Sequence, residues 1–139
     1  LQSKEEIISG LIFDPIKDEM FFAEKNKGAF LNNHRLRVSN KNYIEECLFS
    51  SNHEGVKFSN LNLRHTGSVA LDLAYVASGR LDGFFHNKIN LCNIAAGKIL
   101  VEEAGGVVND IYKYKKDNMN IRASSSSIKD EMLKNIKNF

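Results

Sequence analysis

"TGSVALDLAYVASGRLDGFFH", Thr66 to His86, and "LCNIAAGKILVEEAGGVVND", Leu91 to Asp110, decide the fold between them. In the first, Val69, Leu73, Val76 and Ala77 recur at helical spacing. Ser68 stands before them as a cap and Gly79 after them as a stop. Leu81 to His86 then reads as a strand. In the second, the spacing predicts a helix from Asn93 to Glu103, capped by Asn93. Its buried stripe is Ala96, Ile99, Leu100 and Ala104, and Gly105-Gly106 ends it. "GVVNDIY" and "NIRASSS" read as strands, and Ser127 as the cap of a last helix over 128–137. Helices alternating with strands imply a mixed sheet packed on helices.

Upstream the pattern is different. Residues 7–38 read as antiparallel β-structure. "IISGLIFDP" is an apolar run ended by the turn signal Asp14-Pro15, and Glu19 to Asn26 is its hairpin partner. Asn32-Asn33 supplies a second turn, and the alternation in "RLRVS" a final strand. "CLFSS", Cys47 to Ser51, is a buried strand, and the polar "NHEGVKFSNLN" after it a loop. The expected division is residues 1–45, belonging to an antiparallel sheet, and residues 46–139, an α/β domain.

Composition bounds the function. The chain has 139 residues, 42% of them hydrophobic, and a net charge of +2. That supports a packed core and argues against disorder. No apolar run approaches the roughly 18 residues that span a bilayer, and the start is not a signal peptide, so the expectation is a cytoplasmic protein. Lys113, Lys115 and Lys116 read as a solvated loop, not a nucleic-acid patch. Cys47 and Cys92 read as buried, reduced thiols. The four His show no metal-ligand spacing. The chain begins at Leu1 and enters a strand almost at once, which reads as upstream sequence having been removed.

The helix starts are the candidate chemical sites. A helix N-terminus offers free N–H groups and the positive end of a dipole to phosphate or carboxylate. Gly67 lets a ligand approach the Gly67-Ser68-Val69 backbone. An ordinary capped helix explains the same residues. Asn93 caps as well as Asp would, but gives a hard cation only a neutral carbonyl oxygen. His86 ends its strand either facing a cleft or as a satisfied rim histidine. Asp72 and Asp82 read as solvated or capping. Glu102 and Glu103 lie at the wrong end of their helix for catalysis. "DPIKDE", Asp14 to Glu19, is a hairpin turn and not a metal-binding D-P-I-D-G-T, because Lys17 stands at the fourth position and no Gly-Thr follows.

Together, "GLIFDPIKDEMFFAEKNKGAFLNNHRLRVS", "RHTGSVALDLAYVASGRLDGFF" and "LCNIAAGKILVEEAGG" resemble segments of the inositol monophosphatase family, its bacterial SuhB-type members in particular. The resemblance implies a layered αβαβα sandwich, here truncated, and Mg²⁺-dependent hydrolysis of a phosphomonoester such as myo-inositol 1-phosphate. It places Gly67, Ser68 and Val69 on the family's substrate-contacting turn. His86 falls where a Glu commonly meets a ring hydroxyl, Cys92 where the family has Trp, and Asn93 where it has a metal-ligating Asp. The resemblance places the family's metal-binding E-E element and its D-P-x-D-G-T motif upstream of the segments matched here, and no D-P-x-D-G-T occurs in these residues. The stretch between Ser51 and Arg64 is shorter than the family's, which holds a helix there.

Three expectations follow: an inactive C-terminal portion of such an enzyme, a split enzyme completed by a separate N-terminal half, or a non-catalytic binding or dimerisation module. Strands lacking their covering layer also predict a homo-oligomer.

Overall fold

A computed structural model describes residues 1–4, 6–51, 61–112 and 119–136. After a short ribbon of β1 (Gln2–Ser3) and β2 (Glu6–Ile7) come four antiparallel strands in chain order: β3 (Ser9–Asp14), β4 (Glu19–Glu24), β5 (Gly28–Leu31) and β6 (His34–Arg35). The first hairpin turns where the sequence says. The Asp14 carboxylate accepts the N–H groups of Ile16 (3.0 Å) and Lys17 (3.3 Å), closing an Asx turn. Asn32 and Asn33 both take positive φ (44° and 69°), as the second hairpin requires. The strand expected in "RLRVS" is shorter and earlier. Only His34–Arg35 pairs, and by Val38 the backbone N–H has turned away to the Ala104 carbonyl.

The second sheet has the order β10-β11-β9-β7-β8. Its members are β7 (Leu48–Ser51), β8 (Asn62–Arg64), β9 (Gly83–Ile89), β10 (Gly106–Tyr112) and β11 (Met119–Ser125). β7 lies parallel to β8 and β9, while β9, β10 and β11 are antiparallel, so the sheet is mixed as expected. The stretch read wholly as loop ends in β8. Residues 52–60 of that stretch, and the Lys113–Lys116 cluster, lie outside the described residues.

Between the sheets run α1 (Val69–Ala77) and α2 (Leu91–Glu103), and α3 (Lys129–Asn135) covers the far side of the second sheet. Ser68 caps α1 by accepting the Leu71 N–H, and Gly79 (φ 75°) turns the chain out of it. α2 starts earlier than its sequence pattern suggests. Its cap position is Asn90, whose side chain makes no capping bond, and Asn93 is the third helical residue. The reason is in β9. It runs past His86 to Ile89, with a bulge where Lys88 takes φ 58°, and the helix follows at once. α2 buries Ile94, Gly97, Ile99, Leu100 and Val101, because it faces both sheets and α1. Ala96 is only half-buried. Ser127 does not cap α3 either. Its hydroxyl donates to the Lys41 carbonyl at 2.7 Å, and Ile128 holds the cap position.

One core, between the sheets, joins Ile12, Phe21 and Ala23 to Leu73, Val76, Phe84, Leu100 and Ile121. It is shared by residues on both sides of the division expected at 45/46. A smaller core lies under α3, around Phe49, Phe85, Ile128 and Met132. The described order of layers is therefore sheet, helix pair, sheet, helix.

Two readings of individual residues change. Asp82 is not solvated. It is 1% exposed and accepts from the Leu48 N–H (2.7 Å), Lys41 Nζ (3.0 Å) and the Ser39 hydroxyl, tying the linker between the sheets to β7. Cys92 is exposed on the first turn of α2, while Cys47 is buried and burial pushes its thiol up to about 11. A thiol reagent at neutral pH should therefore titrate Cys92 in the native chain at once, and Cys47 only on unfolding. Two fast-reacting thiols would contradict this packing.

Candidate functional site

α1 begins at the edge of a cavity of about 430 Å³. Gly67, Ser68 and Val69 line it from the helix start, His65 and Asp72 from either side of them, Ser51 from the end of β7 and His86 from the middle of the neighbouring β9. Four of the five residues singled out from the sequence thus converge. Gly67 takes φ 84° and has nothing within 4 Å of where a Cβ would stand, so a ligand can reach the backbone there. At this helix start the Ser68 N–H donates to Thr66 Oγ1 (3.3 Å) and the Leu71 N–H to Ser68 Oγ (3.3 Å), which leaves the N–H groups of Val69 and Ala70 without intrahelical partners. They suit an anionic oxygen.

His86 is held rather than loose. Its Nδ1–H donates to the Asn87 carbonyl at 2.7 Å, and the ring packs 5.9 Å from Phe84. Arg122 on β11 fixes the strand around it. Its guanidinium donates to the His86 carbonyl (3.3 Å), the Asn87 side-chain oxygen (3.1 Å) and its neighbour's carbonyl at Ile121 (2.8 Å). Burial lowers the Arg122 pKa to about 10, which leaves it charged at neutral pH. Sequence reasoning passed over Arg122 and His65. His65 lies against the Ser51 carbonyl through Nδ1. His65 stands two residues before Gly67, while the pairing of β11 with β9 brings Arg122 to the backbone of His86.

Asp72 corrects a second expectation of solvation. It is 4% exposed and accepts from the Thr66 hydroxyl. Burial raises its pKa, and the Thr66 hydrogen bond opposes that rise. A carboxyl whose folded pKa is raised adds stability below its unfolded pKa and loses it as pH rises through the folded value. Asp72→Asn should therefore gain melting temperature relative to the native chain at pH 7, and the gain should vanish toward pH 3. A variant that loses stability at pH 7 more than at pH 3 would show that the charge is needed for folding.

Asn93 stands apart. It is exposed on α2 and is not among the residues lining the cavity. Among the described residues no three His, Cys, Asp or Glu side chains come together as metal ligands. A neutral amide is a poor partner for a hard divalent ion. The residues described here do not fit a Mg²⁺ site. Glu103, dismissed as catalytic, has a structural task, accepting the backbone N–H groups of Asn26 (2.8 Å) and Gly28 (3.1 Å).

Comparison with known proteins agrees with this geometry. An inositol-1-monophosphatase of Mesorhizobium japonicum is 35% identical over 154 residues, taking in 99% of this chain and 58% of the relative. That alignment is longer than the chain, so the relative carries extra residues within the matched stretch. The Escherichia coli protein named Nus factor SuhB is 38% identical over 115 residues, 72% of this chain and 43% of its own length. Among solved structures, SuhB from Bartonella henselae superposes with a TM-score of 0.87 at 36% identity, over 98% of this chain and 61% of that one. The Thermotoga maritima inositol monophosphatase gives 0.82 at 35% identity. The chain spans roughly half the length of the relatives it matches. With the inositol monophosphatase family matching residues 1–138 from end to end, and solved members sharing both sheets and the helix pair between them, the chain belongs to that family.

Proposed function

We propose that this chain carries the substrate-binding portion of an inositol-monophosphatase-type, Mg²⁺-dependent phosphomonoesterase, and that these 139 residues alone do not hydrolyse the ester. The observation that carries the first half is the cavity at the start of α1. Gly67, Ser68 and Val69 line it at the helix start, where an anionic oxygen can approach the backbone at Gly67 and Val69, and His86 faces the rest of the ligand. The second half rests on position 93. Asn there holds no formal charge, the sequence has no D-P-x-D-G-T motif, and among the described residues no three His, Cys, Asp or Glu side chains come together as metal ligands. When bound, the metal supplies Lewis-acid stabilisation and an activated water. This chain's own residues bind and orient the ester.

No helix among the described residues is long and apolar enough to cross a membrane, and a cytoplasmic site of action goes with this reading. The expectation against a nucleic-acid partner has the Nus factor name of the SuhB relatives on the other side.

Binding of myo-inositol 1-phosphate to the chain, read by calorimetry, tests the proposal. Gly67→Ala places a methyl in the approach to the helix start, and His86→Gln replaces the facing ring. Each should weaken binding about fivefold or more, on the order of 1 kcal/mol for one contact. Affinity unchanged in both would move the ligand site elsewhere.

A further inference from the structure

The cavity at the start of α1 is lined by more imidazole than carboxylate. Beside Gly67, Ser68 and Val69 it has the side chains of Ser51, His65, Asp72 and His86. Asp72 is the one carboxyl among these lining residues. It is 4% exposed, accepts from the Thr66 hydroxyl, and burial favours its neutral form. Little negative charge therefore meets a ligand. At about 430 Å³ the cavity has the size of a small-molecule site, about 300–1,000 Å³.

The two rings stand in different places. His65 is exposed and lies two residues before Gly67, on the side of the helix start. His86 is 7% exposed and belongs to β9, in the wall that the second sheet supplies. Each ring meets a backbone carbonyl through Nδ1, that of Ser51 for His65 and that of Asn87, at 2.7 Å, for His86. A carbonyl only accepts, so Nδ1 carries a proton in both rings. The second proton of an imidazolium then goes to Nε2, and the carbonyl contact survives it. A neutral hydroxyl beside such a ring gains an ordinary hydrogen bond. An anionic group favours the charged ring and gains a charge-assisted one, roughly twice as strong.

We propose that the substrate of this cavity carries a second anionic group, a phosphate or a carboxylate, on the skeleton that bears its phosphoester, and that His86 receives it. The place of the ester, at the start of α1, rests on the proposed function. His86 decides which skeletons are accepted and takes no part in breaking the ester bond.

Calorimetry on the 139-residue chain tests this with two matched pairs of ligands. myo-Inositol 1-phosphate is set against myo-inositol 1,4-bisphosphate, and sorbitol 6-phosphate against 6-phosphogluconate. The first pair differs by a phosphate and the second by a carboxylate, so the pair that separates names the anion. In at least one pair the doubly anionic member should bind about tenfold or more tightly, a difference of roughly 1.4 kcal/mol. His86→Gln should cut that ratio to about twofold or less. His86→Glu should invert it, because a carboxylate repels the second anion. The Gln variant is neutral, so its result does not depend on the fold accepting a buried charge. Lys134→Gln, which removes a positive charge from α3 on the far side of the second sheet, should leave the ratio as it is.

Equal affinities within both pairs, a ratio that survives both His86 variants, or one that falls as far with Lys134→Gln would overturn the proposal. Binding of inositol 1-phosphate without any preference in either pair would sink this proposal alone. A chain that binds none of the four ligands would sink the proposed function as well.

Discussion

The 139-residue chain, given saturating Mg²⁺ and myo-inositol 1-phosphate, should release phosphate at less than about a tenth of the rate of an intact family member, a barrier at least 1.4 kcal/mol higher. The argument is electrostatic. Phosphoryl transfer leaves a protein little covalent chemistry to do, and catalysis is positioning plus neutralisation of charge on the transferring group. Divalent ions do most of that neutralisation, and carboxylates hold them. On the proposed reading, Asn93 stands where the family has a carboxylate ligand and supplies no formal charge there. No D-P-x-D-G-T motif occurs in these residues, and among the described residues no three His, Cys, Asp or Glu side chains gather to replace it. The phosphate grip proposed for the start of α1 would not make up the loss, because gripping substrate and transition state alike does not speed the chemical step. A colorimetric phosphate assay decides the matter, and turnover within tenfold of the intact enzyme would refute it.

The second large effect is on folding. Gly97→Val should lower the melting temperature by about 10 °C or more, or prevent folding. A Cβ at Gly97 would stand 2.5 Å from both Cβ and Cδ1 of Leu73, where α2 crosses α1. The Leu73 Cβ is anchored to its helix and cannot swing aside, so the helices must separate. Overpacking costs about 1–3 kcal/mol and occasionally more, and this site belongs at the upper end. Against a total stability of about 5–15 kcal/mol that is a large share. Gly105→Ala is the control. It has open space around its Cβ and only a positive φ of 90° to strain, so it should cost about 1 kcal/mol. Thermal melts followed by circular dichroism compare the two, and equal shifts would show that backbone conformation rather than helix contact dominates.

What the sequence made legible was local. The Ser68 cap, the Gly79 exit, the Asp14 turn and the Asn32-Asn33 hairpin each follow from residues within four positions of one another, and each is observed. What it hid depends on distant partners. Asp82 looked solvated because Ser39, Lys41 and Leu48, which bury and bond it, lie more than 30 positions away. Glu103 gained its task from Asn26 and Gly28 in the other sheet. Of the stripe read for α2, Ile99, Leu100 and Ala104 are buried, and Ile94, Gly97 and Val101 are buried besides, because the helix is covered on several sides. Its start was misplaced because a bulge in β9, not a capping side chain, sets where the strand ends.

Asn93 shows both sides of this. The residue that looked like a cap is the third residue of the helix, exposed and outside the cavity lining. Its identity therefore owes nothing to capping through that position. The helix start is set by the chain's path out of β9, and Asn93 is left to be judged on charge alone.

The most direct test of the central claim, a ligand pocket retained without a metal site, is an NMR titration of the chain with myo-inositol 1-phosphate, with and without Mg²⁺. The account predicts that the Gly67, Ser68 and Val69 amides and the His86 ring shift with the phosphate ester equally in both conditions, while the Asn93 amide stays still. Saturable, Mg²⁺-dependent shifts at Asn93, or ester binding that appears only with Mg²⁺, would contradict it.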